Sequence, residues 1–335
     1  MNLDFFKKLA RFVAFLCVVW SQQSIAQSED LIATSPQARN LSGTDLKTLI
    51  DQAFPKYDQK EIEKRLTDAA KELQSRPYTI KAQTLRDIES LMGIPLSHSL
   101  AKEMDTSHFY YRIDPLEGKG YAQHKDHTFI SSSRVEFAAM QDLIESQHDA
   151  FFRRLGVPDD EVMKRDFKQI LIQTVEPNSP KTDGRGARVR RGMSFGYRGF
   201  QGFPIEESFI RISSFTSKRI ENFSVAWPHF VLHPDIKSIK LASKQNIKDY
   251  IYNELKSATD ADRVMKLNMG IVFRPAYTPS GRYVHFPAMK VVMTPIAQNL
   301  AQATLTESGR DVYIRILQVA PAIRADNKKD SRRSP

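Results

Sequence analysis

Residues 265–273 of the chain read Met-Lys-Leu-Asn-Met-Gly-Ile-Val-Phe, and this stretch decides the fold class. Large apolar side chains recur at every second position, from 265 to 273. A period of two predicts a strand that buries one face. Turn-forming Pro, Ser and Gly occupy positions 279–281, and a second apolar run follows over 283–293. We therefore predict a β-hairpin here.

Similar patterns extend outward from this hairpin. The other predicted strands cover residues 108–113, 168–175, 208–213, 223–227 and 312–319. One helix interrupts the later strands, with Ile247, Ile251 and Leu255 on its apolar face.

The sequence upstream has helical periodicity. Asp58 and Glu61 have the spacing of a capping box, and so do Ser133 and Glu136. The second of these helices is predicted to stop at Gly156, and a further helix is expected over 85–92. Helices first and strands later predict an α+β fold, with a mainly helical region over 43–166 and a mostly antiparallel, β-rich region over 167–320.

Residues 1–26 have the features of a secretory signal peptide. Basic residues at 7, 8 and 11 precede an apolar run over 12–20, and Ser24 and Ala26 supply the small residues of a cleavage site. We expect cleavage after Ala26, followed by a mobile lead-in over 27–42. The predicted location is the periplasm or the exterior of a bacterial cell, with no membrane-spanning segment left after cleavage.

Charge and cysteine content narrow the chemistry. The 335 residues include 49 Lys and Arg against 39 Asp and Glu, a formal charge of +10. Cleavage would remove Cys17, the only cysteine, which excludes disulfides, thiolate nucleophiles and Cys-ligated metals from the mature protein. Residues 321–335 are basic and lack apolar partners, so we expect a disordered tail.

The segment 178–203 is the candidate site, and we predict that it is a basic loop, rich in glycine and aromatic residues, that binds an anion. It combines six glycines, several arginines and interleaved aromatic residues with one acid, Asp183. Arginines bind phosphate or carboxylate, and aromatic rings stack on bases or sugars. The predicted anion-binding residues are Arg185, Arg188, Arg190, Arg191, Arg198 and Tyr197. Two other interpretations are a solvated surface loop and a protease-sensitive loop at 188–191.

Other site chemistry has less support. Two groups of histidines are candidate metal ligands, but neither supplies the three or four ligands of a zinc site. They are His108, His124 and His127, and His229 and His233. The S-x-x-K spacing at 99–102 lacks the partner motifs of serine acyl-enzymes. We predict no metal and no cofactor.

These observations favour a non-catalytic binding or accessory protein of the cell envelope. Its partner would be an anionic envelope component or another envelope protein. Nucleic acid becomes the better candidate only if the chain is not exported. The alternatives are a periplasmic hydrolase that uses histidines or carboxylates of the β-rich region, and a subunit of an envelope assembly.

Overall fold

A computed structural model describes twelve parts of the chain. They are residues 32–34, 43–54, 57–77, 92, 103–105, 109–114, 118–125, 131–172, 187–216, 219–256, 265–295 and 310–324. The predicted signal peptide, residues 85–91 of the predicted helix over 85–92, Arg185, His108 and His127 lie outside the described residues, as do 325–335 of the predicted tail.

Helices and strands alternate along these ranges. The helices are α1 (Gly43–Ala53), α2 (Gln59–Ser75), α3 (Arg134–Arg154) and α4 (Lys244–Leu255), with a 3₁₀ turn at Asp159–Glu161. The first strands are β1 (Ile32–Thr34), β2 (Glu103–Asp105), β3 (Phe109–Asp114), β4 (Lys119–His124) and β5 (Val162–Ile172). The later strands are β6 (Arg188–Phe200), β7 (Phe203–Ser214), β8 (Asn222–Ala226), β9 (Met265–Tyr277), β10 (Tyr283–Pro295) and β11 (Arg310–Arg315).

The strands form two sheets that share β7. The first sheet has the order β2-β3-β4-β8-β7-β6-β5 and is antiparallel throughout. In the second sheet, β9 pairs with β10, and β10 pairs with β11. The strand β1 also pairs with β9, and a single parallel pair, Ile205 with Phe273, joins β7 to β9.

The strands β6 and β7 form a tight hairpin. Phe200 pairs with Phe203, which leaves Gln201 and Gly202 as a two-residue turn with φ of 49° and 85°. Two successive residues with positive φ make the kind of turn that matches the twist of paired strands. Residues 188–200 are therefore a paired strand, so our expectation of a glycine-rich loop over this stretch was wrong.

The helix α3 packs on one face of the first sheet. Ser133 and Glu136 form the predicted capping box at its start, and Gly156 follows its end with φ of 70°. A Cβ at Gly196 would lie 2.5 Å from Phe152 Cε1, so this strand needs glycine to let the helix approach.

The other helices cover the second sheet. Their buried side chains join those of β9, β10 and β11 in one apolar core. Representative members are Leu46, Leu49, Leu66, Leu73, Ile247, Ile251, Met269, Phe273, Met289 and Ile314.

The predicted division into a helical first half and a β-rich second half is wrong. The protein is mostly β-sheet, with helices placed between the strands. The strands β2, β3 and β4 belong to the first half, and β4 pairs with β8 of the second half. Helical periodicity and capping can be recognised locally, whereas β4 also depends on a partner strand, β8, about 100 residues away.

Several predicted elements are confirmed. The helices at 59–75, 134–154 and 244–255 and the β9–β10 hairpin all form. No helix in the described part of the chain combines the length and apolar character needed to cross a membrane.

Candidate functional site

The first sheet has a far face, opposite α3, that carries aromatic, basic and neutral polar side chains. Directly paired residues of antiparallel strands share a face, which allows the far face to be assigned from the register. Its central members are Lys119, Tyr121, Gln123, Asn222, Ser224, Ala226, Phe209, Arg211, Ser213, Arg191, Met193, Phe195 and Tyr197.

None of these central far-face positions is an acid. The charged members are Lys119, Arg191 and Arg211. The acids that the strand pairing places on this face lie on the marginal strands, and Glu207 of β7 lies near Lys119. On β5, Asp166 is already paired with Lys164 at 3.0 Å. The centre of the far face therefore favours an anionic ligand over a cationic one.

Aromatic residues flank the central arginine. The rings of Phe195 and Tyr197 are nearly parallel, at 4°, with centroids 6.2 Å apart. Arg211 pairs across the strands with Phe195 on one side and Ser224 on the other, and Ser224 pairs with Tyr121. All five of these side chains are partly exposed.

The phenols of this face stay neutral. Burial raises the pKa of Tyr121, although nearby Arg211 and Arg191 act in the opposite direction. Burial and the negative charge of Asp166 also raise the pKa of Tyr197. Both hydroxyls therefore remain hydrogen-bonding groups at physiological pH and add no negative charge.

On the part of the far face that β7 contributes, two buried polar atoms have no hydrogen-bond partner among the described residues. They are Arg211 Nε and Ser213 Oγ, and Ser213 has 0% of its surface exposed. Buried polar groups are normally hydrogen-bonded, so each exception calls for an explanation. Arg211 and Ser213 are two residues apart on β7 and point to the same face.

The predicted anion-binding residues do not form one cluster. Arg191 and Tyr197 lie on the far face, whereas Arg188 is at the exposed start of β6 and donates from Nε to Ser131 Oγ at 2.9 Å. Arg190 sits at a β-bulge, with its guanidinium 4.1 Å from the ring centroid of Phe215.

Arg198 is committed to a buried ion pair. Its Nε donates to Glu161 Oε2 at 2.7 Å, and the two side chains are only 4% and 1% exposed. Trp227 Nε1 donates to the same carboxylate oxygen at 3.1 Å, and Arg198 also donates to the backbone oxygen of Pro228 at 2.6 Å. This geometry makes Arg198 a structural residue that joins the 3₁₀ turn to the segment after β8.

Two histidines of the β-rich region, His233 and His285, are buried and held by structural contacts. His233 donates from Nε2 to the backbone oxygen of Ala322 at 2.8 Å and accepts from the Asp235 N–H at 3.2 Å. His229 lies near Arg198, and burial lowers its pKa. Burial lowers the pKa of His285 to about 3, and its ring stacks on Phe230 with centroids 4.7 Å apart.

A serine–histidine arrangement was overlooked in the sequence. Residues 192–196 read Gly-Met-Ser-Phe-Gly, the G-x-S-x-G spacing of serine hydrolases. His148 of α3 bonds Ser194 Oγ through Nδ1 at 2.7 Å and Ser214 Oγ through Nε2 at 2.9 Å. The sequence spacing would have revealed Ser194, but nothing local pointed to His148.

The surroundings of Ser194 differ from those of a nucleophile elbow. That motif places the serine on a sharp turn between a strand and a helix, whereas Ser194 lies within β6. Both ring nitrogens of His148 bond serines, so no carboxylate orients the ring as in a triad. Since His148 is fully buried, the arrangement fastens α3 to β6 and β7.

The buried histidine predicts a pH-dependent stability. Burial lowers the pKa of His148 from 6.5 to about 4. Between these values the histidine is protonated in the unfolded chain but not in the folded chain. Its contribution to the free energy of unfolding is therefore complete above pH 6.5 and is lost as the pH falls toward 4. We expect a loss of about 2.5 kcal/mol between pH 7.5 and 4.5 from this ring.

Urea unfolding at these two pH values measures the loss. The variant His148→Gln cannot titrate at this position, so its stability should fall by about 2.5 kcal/mol less than that of the natural protein. Equal losses in the two proteins would contradict the assignment.

The described ranges contain no group of three or more His, Cys, Asp and Glu side chains placed to hold a metal ion. His124, one of the candidate ligands, forms a hydrogen bond with the backbone oxygen of Met92 at 2.7 Å.

Comparison of the chain with models of protein families gave no match, and comparison with curated protein sequences gave none either.

Proposed function

We propose that the protein is a non-catalytic binding protein that holds an anionic partner against the far face of its first sheet. One observation carries the proposal. The central strands present arginines and aromatic rings side by side, with no acid at the paired central positions.

We place this partner in the bacterial cell envelope. The basis is the signal-peptide pattern over residues 1–26. Cell fractionation followed by intact-mass analysis tests the location. A periplasmic species beginning at Gln27 is expected, and a cytosolic species beginning at Met1 would overturn the placement.

The binding proposal predicts that charge position on β6 and β7 matters more than charge number. The probe is polygalacturonate, a polymer of carboxylated sugars, with neutral dextran as the reference. The variant Arg191→Gln/Arg211→Gln removes two positive charges from the far face. We expect at least a tenfold loss of affinity for polygalacturonate at low salt, where contacts between exposed charges are strongest.

Arg188→Gln/Arg190→Gln is the matched control. It removes the same number of charges, but both come from β6, one at the exposed strand end and one at the bulge over Phe215. Its affinity should change by less than about threefold. Equal losses in the two variants, or no binding by the natural protein, would overturn the proposal.

A hydrolase is the second candidate, favoured by the 2.7 Å contact between Ser194 and His148. Labelling with a fluorophosphonate separates the two candidates. A binding protein stays unlabelled, whereas a serine hydrolase is labelled and loses the label in Ser194→Ala.

A further inference from the structure

We infer that the far face recognises one fixed oxyanion, a carboxylate or phosphate monoester projecting from a sugar ring, at Arg211 and Ser213. This inference rests on the proposed function and specifies its ligand. A diffuse basic surface would attract any polyanion, whereas two placed donors select a group of defined geometry.

The first step concerns the two buried polar atoms. Arg211 Nε and Ser213 Oγ are withdrawn from solvent and have no partner in the parts of the chain that the structure describes. An unsatisfied buried donor costs free energy in the unbound protein. A ligand that accepts hydrogen bonds from both atoms removes that cost. The free energy recovered in this way favours binding at this position over binding elsewhere on the surface.

The second step concerns the charge that the ligand must carry. Arg211 Nε can only donate, so its partner must be an acceptor. Arg191 contributes a second positive charge, and the carboxylate of Asp166 is neutralised by Lys164. An oxyanion satisfies the donors and the charge together, which a neutral hydroxyl cannot do.

The neighbouring polar groups are already engaged with each other. Tyr121 donates its hydroxyl to Gln123 Oε1, and Asn222 Nδ2 donates to the Tyr121 oxygen at 3.3 Å. This fixed network borders Arg211 and Ser213 on one side. The binding position is therefore defined by side chains that hold one another in place.

The third step concerns access to Ser213. Its directly paired residue is Met193, which is 5% exposed and covers the same face. Methionine has a flexible, unbranched side chain that adopts alternative positions at low cost. We expect Met193 to move aside when the oxyanion enters, so only a small projecting group can reach Ser213.

The fourth step concerns the carrier of the oxyanion. Phe195 and Tyr197 lie beside Arg211 as a pair of parallel, partly exposed rings. Aromatic side chains bind groups with one apolar and one polar side, because they offer a large apolar surface with a polar tip. The apolar face of a sugar ring fits these aromatic surfaces, while its carboxylate or phosphate reaches inward.

The experiment measures binding of a trigalacturonate and of glucose 6-phosphate by calorimetry at 150 mM salt. Arg211→Lys keeps the charge but loses Nε, and should weaken binding of the preferred ligand at least tenfold. Ser213→Ala should weaken it about three- to tenfold. Ser208→Ala is the control, since its hydroxyl is also buried without a described partner but lies outside the far-face pairs.

Folding is checked in the absence of ligand. Because Ser213→Ala removes a hydroxyl that has no partner, its thermal stability should equal or exceed that of the natural protein. A clear loss of stability would show that Ser213 already has a partner and would overturn the inference.

The remaining outcomes separate this inference from the proposed function. Polyanion binding that depends on Arg191 and Arg211 but is unchanged in Arg211→Lys and Ser213→Ala would overturn only the fixed oxyanion site. Equal binding of inorganic phosphate and glucose 6-phosphate would overturn the inference that a sugar ring carries the oxyanion. Tighter binding of single-stranded DNA than of glucose 6-phosphate would overturn it too, in favour of a nucleic acid. Absence of any polyanion binding would overturn both.

Discussion

Replacement of Glu161 by alanine is expected to destabilise the protein by about 3–5 kcal/mol. The carboxylate accepts hydrogen bonds from Arg198, Arg76 and Trp227. Its removal takes away the counter-charge of the buried Arg198 guanidinium, which still donates to the backbone oxygen of Pro228 at 2.6 Å. A buried charge without its counter-charge is the costly part of this change. Urea unfolding measures the loss.

Two variants show whether the buried charge is the cause. Asp160→Ala removes a neighbouring carboxylate that is 57% exposed and also bonds Arg76, so it should cost about 1 kcal/mol or less. Glu161→Leu/Arg198→Met removes both charges and should be more stable than Glu161→Ala alone. If the double variant were the less stable of the two, the loss would come from packing.

Replacement of Phe273 by alanine is also expected to cost about 3–5 kcal/mol. The side chain has 0% of its surface exposed. Its ring packs on those of Phe203 and Phe230, with centroids 5.9 and 5.0 Å away, and its backbone pairs with Ile205. The change therefore opens a cavity where the two sheets meet. Chemical denaturation measures the resulting loss in the free energy of unfolding.

Phe195→Ala is the matched control for Phe273→Ala. Both residues are phenylalanines within β-strands, but Phe273 is buried and Phe195 is partly exposed on the far face. We expect it to cost less than half as much, because less apolar surface is lost from the interior. A larger loss from Phe195→Ala would show that the far face is part of the core.

The parts of the fold that depend on local sequence could be predicted. The helix α3 has its capping box, its apolar spacing and its terminal glycine within 24 residues. The β9–β10 hairpin likewise shows alternating apolar residues on both sides of a short turn. Neighbouring residues determine these elements, so one sequence is sufficient to find them.

The strand β6 was mistaken for a loop because its glycines have a packing role. Gly192 and Gly196 lie under Phe137 and Phe152 of α3, which needs the space that a Cβ would fill. Glycine is depleted in ordinary strands, and the arginines on either side of these two glycines favoured the loop interpretation. The contacts that explain these glycines come from a helix 40 to 60 residues earlier in the sequence.

The candidate site needed the register of the sheet. Arg191 and Tyr197 were selected from the sequence, but Arg211, Ser213 and Tyr121 were not. Their proximity arises from pairing between β4, β8, β7 and β6, which no local spacing encodes. The same register also shows that Arg190 and Arg198 do not belong to this face.

The pairing of β1 with β9 has a consequence for how the chain folds. Ala33 of β1 pairs with Met269 of β9, and Ile205 of β7 pairs with Phe273 of the same strand. Folding must therefore close loops of more than 200 and about 70 residues before β9 is fully paired. Chains dominated by such distant contacts fold slowly, because the entropy of loop closure is lost before the contacts form. A nascent chain that emerges N-terminus first must hold β1 without its partner until about four-fifths of the sequence has been made.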